Sequence, residues 1–225
     1  AALGEMSAAV SHELTQPLAA MKTYLAGAKL LLQRKRLDEA LSSFQRIDDL
    51  IGRMGAITRQ LKSYARKGGE DLVAVDVRMA VNGALEIMEP QLKSRQTSLA
   101  KTLPSAPVMI LGDQLRLEQV VVNLLRNALD ATSAVQTPEI ELLLLGGGTA
   151  SLTVRDNGEG ISDLDDLFEP FFTTKKPGDG VGLGLAISSG IITDLGGRLV
   201  ARNSETTGAV FEVTLPILNK DNSEV

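Results

Sequence analysis

The chain has 225 residues, 44% of them hydrophobic, with 21 glycines and 8 prolines, enough for one large domain or two small ones with packed cores. Aromatic residues make up 3% and tryptophan is absent, so base stacking is not a theme, and a formal net charge of −5 argues against nonspecific nucleic-acid binding, which runs on clustered positive charge. No cysteine is present, which excludes a disulfide framework and thiolate chemistry and suits a reducing compartment; no apolar run approaches the roughly 20 residues of a membrane helix.

The sequence opens directly on a helical pattern without a signal-peptide layout, as is expected of a piece cut from a longer protein. Leu3, Met6, Val10, Leu14, Pro17, Met21, Leu25, Ala28 and Leu32 recur at spacings of three and four, which predicts a long amphipathic helix. Leu37, Leu41, Phe44, Ile47, Ile51, Met54, Ile57 and Leu61 predict a second, and the basic "QRKRLDE" between them a short turn, giving an antiparallel hairpin. Two helices cannot bury stripes this long alone, so a homodimer forming a four-helix bundle is expected. Gly68-Gly69 in "ARKGGEDL" marks a domain boundary and a hinge, dividing a hairpin domain, 1–68, from a second domain, 69–225. Beyond it the apolar runs "LVAVDV", "VMIL", "EIELLLL", "SLTVRD", "GRLVARN" and "AVFEVTLP" read as strands, alternating with helical stretches near 78–93, 113–135 and 183–195. The expected fold is α+β: a helical hairpin followed by a two-layer α/β sandwich with helices on one face of a mixed sheet.

His12 is the sole histidine. At 100° per residue it falls about 170° from the centre of the first apolar stripe, facing water. Ala8, Thr15, Gln16 and Ala19 share its face and are small or uncharged, so another protein's backbone can approach. Glu13 adjoins it and can accept the Nδ1 proton, fixing the tautomer that leaves a lone pair on Nε2. Pro17 removes the amide that would bond the Glu13 carbonyl. These features describe an exposed nucleophile awaiting an electrophile from elsewhere.

A phosphate source is sought in the second domain. No GxxxxGK[ST] occurs, which excludes a P-loop, and "GDGVGLGLA" at 178–186 has Leu185 where a dinucleotide fingerprint needs its third glycine. Gly180, Gly182 and Gly184 instead make a flexible loop entering a helix N-terminus, which reads either as a mobile surface loop or as a phosphate cradle, since amides and the dipole there attract anions. "VRDNGEGIS" reads either as a tight turn at Asn157-Gly158 or as a cradle in which the Asp156 carboxylate, with Gly158 and Gly160, meets an adenine edge. "EQVVVNLLRNALDA" sets Asn123 and Asn127 on one helical face, where two amides can hold a hydrated Mg²⁺ and phosphate oxygens.

These motifs, in this order, resemble the cytoplasmic part of a two-component sensor histidine kinase. "SHELTQPL" is similar to the phosphoacceptor box, "NLLRNALDA" to the N box, "DNGEG" to the G1 box, "LFEPFFTTK" to the F box and "GVGLGLAIS" to the G2 box. The forms "HELTQPLAA" and "EPFFTTK" are similar to the C4-dicarboxylate-sensing subgroup. The resemblance implies a dimerisation and phosphotransfer hairpin followed by an ATP-binding domain of the type shared by gyrase, Hsp90 and MutL. It implies Asn127 as the Mg²⁺ ligand, Asn123 as a phosphate or metal-water contact, Asp156 as the adenine reader, and Gly158, Gly160, Gly180, Gly182 and Gly184 as shaping the pocket and its lid. Thr173 and Lys175 of the F box join the nucleotide-binding set.

On this reading His12 takes the γ-phosphoryl of ATP on Nε2, Glu13 holds the ring, and the phosphoryl passes to an aspartate in the receiver domain of a response regulator. Thr15-Gln16 stands where the commoner box has Arg-Thr, and Gln16, one turn after His12, reads either as a solvated surface glutamine or as a residue that orients a water for dephosphorylation of the regulator. The full-length protein is expected to be anchored in the inner membrane through an absent N-terminal sensor region, leaving this portion cytoplasmic. Two rivals are a gyrase- or Hsp90-like ATPase, which would carry a carboxylate at the place of Asn123, and a noncatalytic dimeric scaffold, which would show degenerate boxes.

Overall fold

A computed structural model describes residues 2–65, 72–174 and 182–218, with helical backbone alone described for 2–14, 53 and 56–65. The chain divides into two compact units, Ala1–Lys67 with Pro170–Leu183, and Gly68–Glu169 with Gly184–Val225. The Gly68-Gly69 break falls outside the described residues.

The first unit is built on α1 (Ala2–Gln33) and α2 (Leu37–Ala65). Helix α1 continues through Pro17, which is buried. It ends by turning left-handed at Lys35 (φ 59°): the Lys35 N–H donates to the Leu32 carbonyl and the Arg36 N–H to the Leu31 carbonyl, the paired bonds that close a helix C-terminus. Where the helices meet, Ala28 and Ala40 are fully buried, and Arg46 lies 5.5 Å over the Tyr24 ring while donating to its hydroxyl. Much of the two expected stripes stays exposed, however: Leu25, Leu32, Leu37, Leu41, Phe44 and Ile51 face outward from the lone hairpin.

In the second unit β1 (Val73–Asp76) leads into α3 (Val77–Ser94), followed by β2 (Ser98–Thr102), β3 (Met109–Gly112), α4 (Gln114–Ala131), β4 (Glu139–Leu145), β5 (Thr149–Asp156), α5 (Gly184–Asp194), β6 (Arg198–Asn203) and β7 (Ala209–Pro216). The main sheet runs β2-β4-β5-β7-β6, with β2 parallel to β4 and every other pairing antiparallel. The sheet is mixed, as expected, but differs from the sequence reading in two ways. β1 and β3 leave it to form their own two-stranded ribbon, and β2 joins it although no apolar run announces it. β2 is an edge strand, "SLAKT", with one row of partners and almost no buried surface, so neither alternation nor β-branched residues are required of it.

The core lies between one face of this sheet and α3, α4 and α5. Period-two alternation sends Ile140, Leu142 and Leu144 of β4, Leu152 and Val154 of β5, and Phe211, Val213 and Leu215 of β7 inward. Against them stand Val81, Ala84 and Met88 of α3, Val120, Leu124 and Leu125 of α4, and Ile187, Ile191 and Ile192 of α5. Asp76 caps α3 by accepting from the Arg78 N–H, and Asp113 caps α4 by accepting from the N–H groups of Leu115 and Arg116.

Candidate functional site

One stripe of α4 organises the site. Asn123, Asn127 and Ala131 are four residues apart and share a face. Asn123 Nδ2 donates to Ser188 Oγ on α5 at 2.9 Å, and a Cβ on Gly184 would lie 2.5 Å from Asn123 Oδ1, so glycine is what lets the start of α5 approach this amide. At the other end a Cβ on Gly158 would meet the Ala131 carbonyl oxygen at 2.5 Å, so glycine also lets the 157–160 loop lie against the end of α4. Eight residues of helix separate these contacts, about 12 Å along the axis. Asn127 stands between them, half-buried, and among the described residues no hydrogen bond engages its carboxamide.

Asp156 is buried because of where β5 ends. Ala150, Leu152, Val154 and Asp156 are successive members of the inward row, and alternation carries the carboxylate to the same side as the core leucines. Its Oδ1 accepts from the Gly158 N–H at 2.8 Å and the Ala209 N–H at 3.3 Å, while its Oδ2 accepts nothing from the described residues. Burial pushes the carboxyl above its usual range, and the two amides only partly oppose this. Gly208 (φ 83°) brings the β6–β7 turn onto it: a Cβ there would lie 2.0 Å from the Asp156 carbonyl oxygen. The result is one carboxylate oxygen fixed by two amides and the other without a partner among the described residues.

The loop after Asp156 is tied by carboxamides. Asn157 Oδ1 accepts from the Glu139 N–H and its Nδ2 donates to the Thr137 carbonyl, so the "NG" reads less as a free turn than as a strap to the start of β4. Gly160 takes the left-handed conformation, φ 78°, and Gly158 does not. Gly184 opens α5, whose first amides are the anion-attracting end of a helix.

In the other unit Phe171 (φ 70°) donates its N–H to the Gly182 carbonyl at 2.9 Å, and a Cβ on Gly182 (φ 67°) would lie 2.5 Å from the Phe171 carbonyl carbon. These two residues close the F-box to G2-box segment at its base. Thr173 and Gln16 are exposed. Lys175 and Gly180 lie outside the described residues, and so do the side chains of His12 and Glu13, whose backbone belongs to α1. Thus the structure gathers Asn123, Asn127, Gly158 and Gly184 along α4, and Asp156 with Gly158 and Gly160 at the end of β5.

Sequence reasoning missed Ser188, Asn203 and Gly208. "SS" inside a helical run and "NSETTG" in a turn carry no site signal of their own; the packing of α5 on α4 brings Ser188 to Asn123, and the β6–β7 register that sets Asn203 opposite Ala209 brings Gly208 and Ala209 to Asp156 and Asn203 to Ile161.

Two family models match the chain. One, described as the His Kinase A (phospho-acceptor) domain, matches residues 2–70; the other, Histidine kinase-, DNA gyrase B-, and HSP90-like ATPase, matches residues 112–219 and implies ATP binding there. The C4-dicarboxylate transport sensor proteins DctB of Pseudomonas aeruginosa and Rhizobium meliloti are 40% and 39% identical to it over 219 residues, covering 95% and 96% of this chain. They cover 36% and 35% of their own lengths, so the chain spans about a third of these curated relatives. Among solved structures, full-length ShkA in complex with AMPPNP superposes with a TM-score of 0.65 at 26% identity over 96% of this chain and 46% of its own. Histidine kinase ThkA in complex with response regulator TrrA gives 0.74 at 22% identity over 96% of this chain and 62% of its own, a likeness of fold. With the phospho-acceptor module on the hairpin and the ATPase module on the sandwich, in that order along one chain, the protein belongs to the sensor histidine kinases.

Proposed function

We propose that this chain phosphorylates itself on His12 at the expense of ATP and passes the phosphoryl group to an aspartate of a response-regulator receiver domain. The observation that carries the reading is the α4 stripe, which holds an Asn127 carboxamide that no described residue engages, midway between the Gly184 end of α5 and the Gly158 loop beside Asp156. Oδ2 of Asp156 accepts from the adenine amino group, Asn123 and the α5 amides face phosphate oxygens, and Asn127 holds a divalent cation. Mg²⁺ is such an ion: it takes oxygen ligands and shares its shell with phosphate and water. Such an ion supplies charge neutralisation on the phosphates as the γ-phosphoryl departs.

His12 Nε2 forms the new P–N bond as the bond from the γ-phosphorus to the β,γ-bridging oxygen breaks, ADP leaves, and the Nδ1 proton goes to Glu13. Catalysis is mainly in-line positioning, because the transition state is loose and phosphate-centred. In the second step the P–N bond breaks as a receiver carboxylate oxygen takes the phosphoryl, and Gln16 serves the reverse traffic by orienting a water beside the phosphoaspartate. By resemblance to the F and G2 boxes, Thr173, Lys175, Gly180 and Gly182 join the nucleotide-binding set. The domain boundary lies at residue 68, with the hinge at Gly68-Gly69. The exposed Leu25, Leu32, Leu37, Leu41, Phe44 and Ile51 support a homodimeric four-helix bundle, which would remove them from water. We read the chain as the transmitter of a longer, membrane-anchored sensor protein, a reading that the sensor-protein names of the DctB relatives support; no helix among the described residues is itself long and apolar enough to cross a membrane.

The test is transfer. Wild-type chain given γ-labelled ATP, Mg²⁺ and a receiver domain should label itself and then the receiver. His12→Gln should label neither while binding ATP within about threefold of wild type. Label on a receiver incubated with His12→Gln would refute the assignment.

A further inference from the structure

Asn203 ends β6, and its side chain does what a strand backbone does. Oδ1 accepts from the Ile161 N–H at 2.7 Å and Nδ2 donates to the Ile161 carbonyl at 2.9 Å, so the carboxamide pairs with one residue through both its donor and its acceptor. The same hairpin holds the other end of that loop: Ala209, the register partner of Asn203, donates its N–H to Asp156 Oδ1, and Gly208 lies against the Asp156 backbone. The Ser204 N–H donates to the Gly208 carbonyl at 2.9 Å and closes the turn between them, and Arg155 Nη2 donates to Thr206 Oγ1 at 3.0 Å. Between the two anchors the chain turns left-handed at Gly160, where an added Cβ would lie 2.8 Å from Asn203 Oδ1. One β-hairpin therefore grips residues 156 and 161 and sets the path of everything between them.

We propose that Asn203 is a positioning residue for base selection: by clamping Ile161 it fixes the 157–160 loop against Asp156, so that the free carboxylate oxygen meets the amino group of adenine and rejects the carbonyl of guanine. The proposal rests on the reading of Asp156 as the adenine acceptor. Asn203 is exposed, so its two bonds replace bonds to water and add little net stability. What they add is geometry. A buried carboxylate discriminates a donor from an acceptor only while it cannot swing away, because specificity of this kind comes from leaving the wrong partner unpaired.

The test measures ADP and GDP affinities of the full chain by calorimetry with Mg²⁺, for wild type, Asn203→Ala, Asn203→Asp and Asp156→Asn. Asn203→Ala should weaken ADP about tenfold and GDP little, so the preference for ADP falls about tenfold. Asn203→Asp keeps the acceptor for the Ile161 N–H and loses the donor, so its preference should fall between the two. It also serves if Asn203→Ala does not fold. A general loosening would lower both affinities together and leave their ratio unchanged, which would overturn the proposal. If Asp156→Asn collapses the preference while both Asn203 variants keep it, the positioning role is wrong and the Asp156 reading stands. If Asp156→Asn also keeps it, the Asp156 reading has itself failed.

Discussion

Replacing Asp156 by asparagine should separate stability from binding, with opposite signs. In the folded chain Oδ1 accepts two backbone N–H groups, and a replacing amide keeps both only by placing its oxygen there. The flipped rotamer would set an N–H₂ against two N–H donors. The amide nitrogen is thus forced into the place of Oδ2, where the adenine amino group is expected, and a donor then faces a donor. Losing a hydrogen bond to a charged acceptor costs about 1.5–3 kcal/mol, which is about 10- to 100-fold in ATP affinity. The unliganded protein, in contrast, should be no less stable. Burial raises the Asp156 carboxyl above 3.8, so the folded state binds the proton more tightly than the unfolded chain, and stability falls as pH rises from 3.8 through the raised value. At neutral pH the buried charge is a net cost that asparagine removes. Calorimetric titration with ADP and thermal melts without nucleotide test both halves. ADP affinity within about threefold of wild type, or a clear fall in Tm, would refute the reasoning.

The same carboxyl sets a pH dependence: ADP affinity of the wild type, measured relative to Asp156→Asn to cancel the titration of the nucleotide itself, should fall as pH drops through a value above 3.8, and a flat ratio would argue against an ionised acceptor. Asn127→Ala should abolish Mg²⁺-dependent labelling while circular dichroism and Tm stay unchanged; full activity would contradict its role as ligand. Gly184→Ala puts a methyl 2.5 Å from Asn123 Oδ1, an amide tied to Ser188, so Mg-ATP affinity should drop about fivefold or more with the fold intact, as calorimetry would report. Gln96 (φ 52°) ends α3 in the left-handed conformation, where the Gln96 N–H donates to Lys93 and the Thr97 N–H to Leu92; Gln96→Gly should raise stability by about 0.5–1 kcal/mol in denaturant titration.

The long elements were legible because each carries its period over many residues: the stripe from Leu3 to Leu32 lies on α1, and "EIELLLL" and "AVFEVTLP" on β4 and β7. β2 was not, since an edge strand with one partner and little burial has no pattern to display. Helix ends were obscured for a related reason: Lys35 and Gln96 occupy left-handed closing positions where glycine is the usual signal, while Gly196, at the same position after α5, could be read. At the site, Asp156 and Asn127 stand out because a carboxylate ending an apolar strand and an amide among leucines break the local pattern. Ser188 and Asn203 break none. Their roles come from contacts across 65 and 42 residues of sequence, which only the folded register creates.

The most direct measurement of the central claim is the chemical stability of the label that the intact chain acquires from γ-labelled ATP with Mg²⁺. A phosphoryl on His12 Nε2 is a phosphoramidate, so the label should survive alkali, vanish in acid and map to the peptide containing His12. Free phosphate with no protein-bound label would make the chain a hydrolase, and a label that survives acid would place it on a hydroxyl; either result would contradict the account.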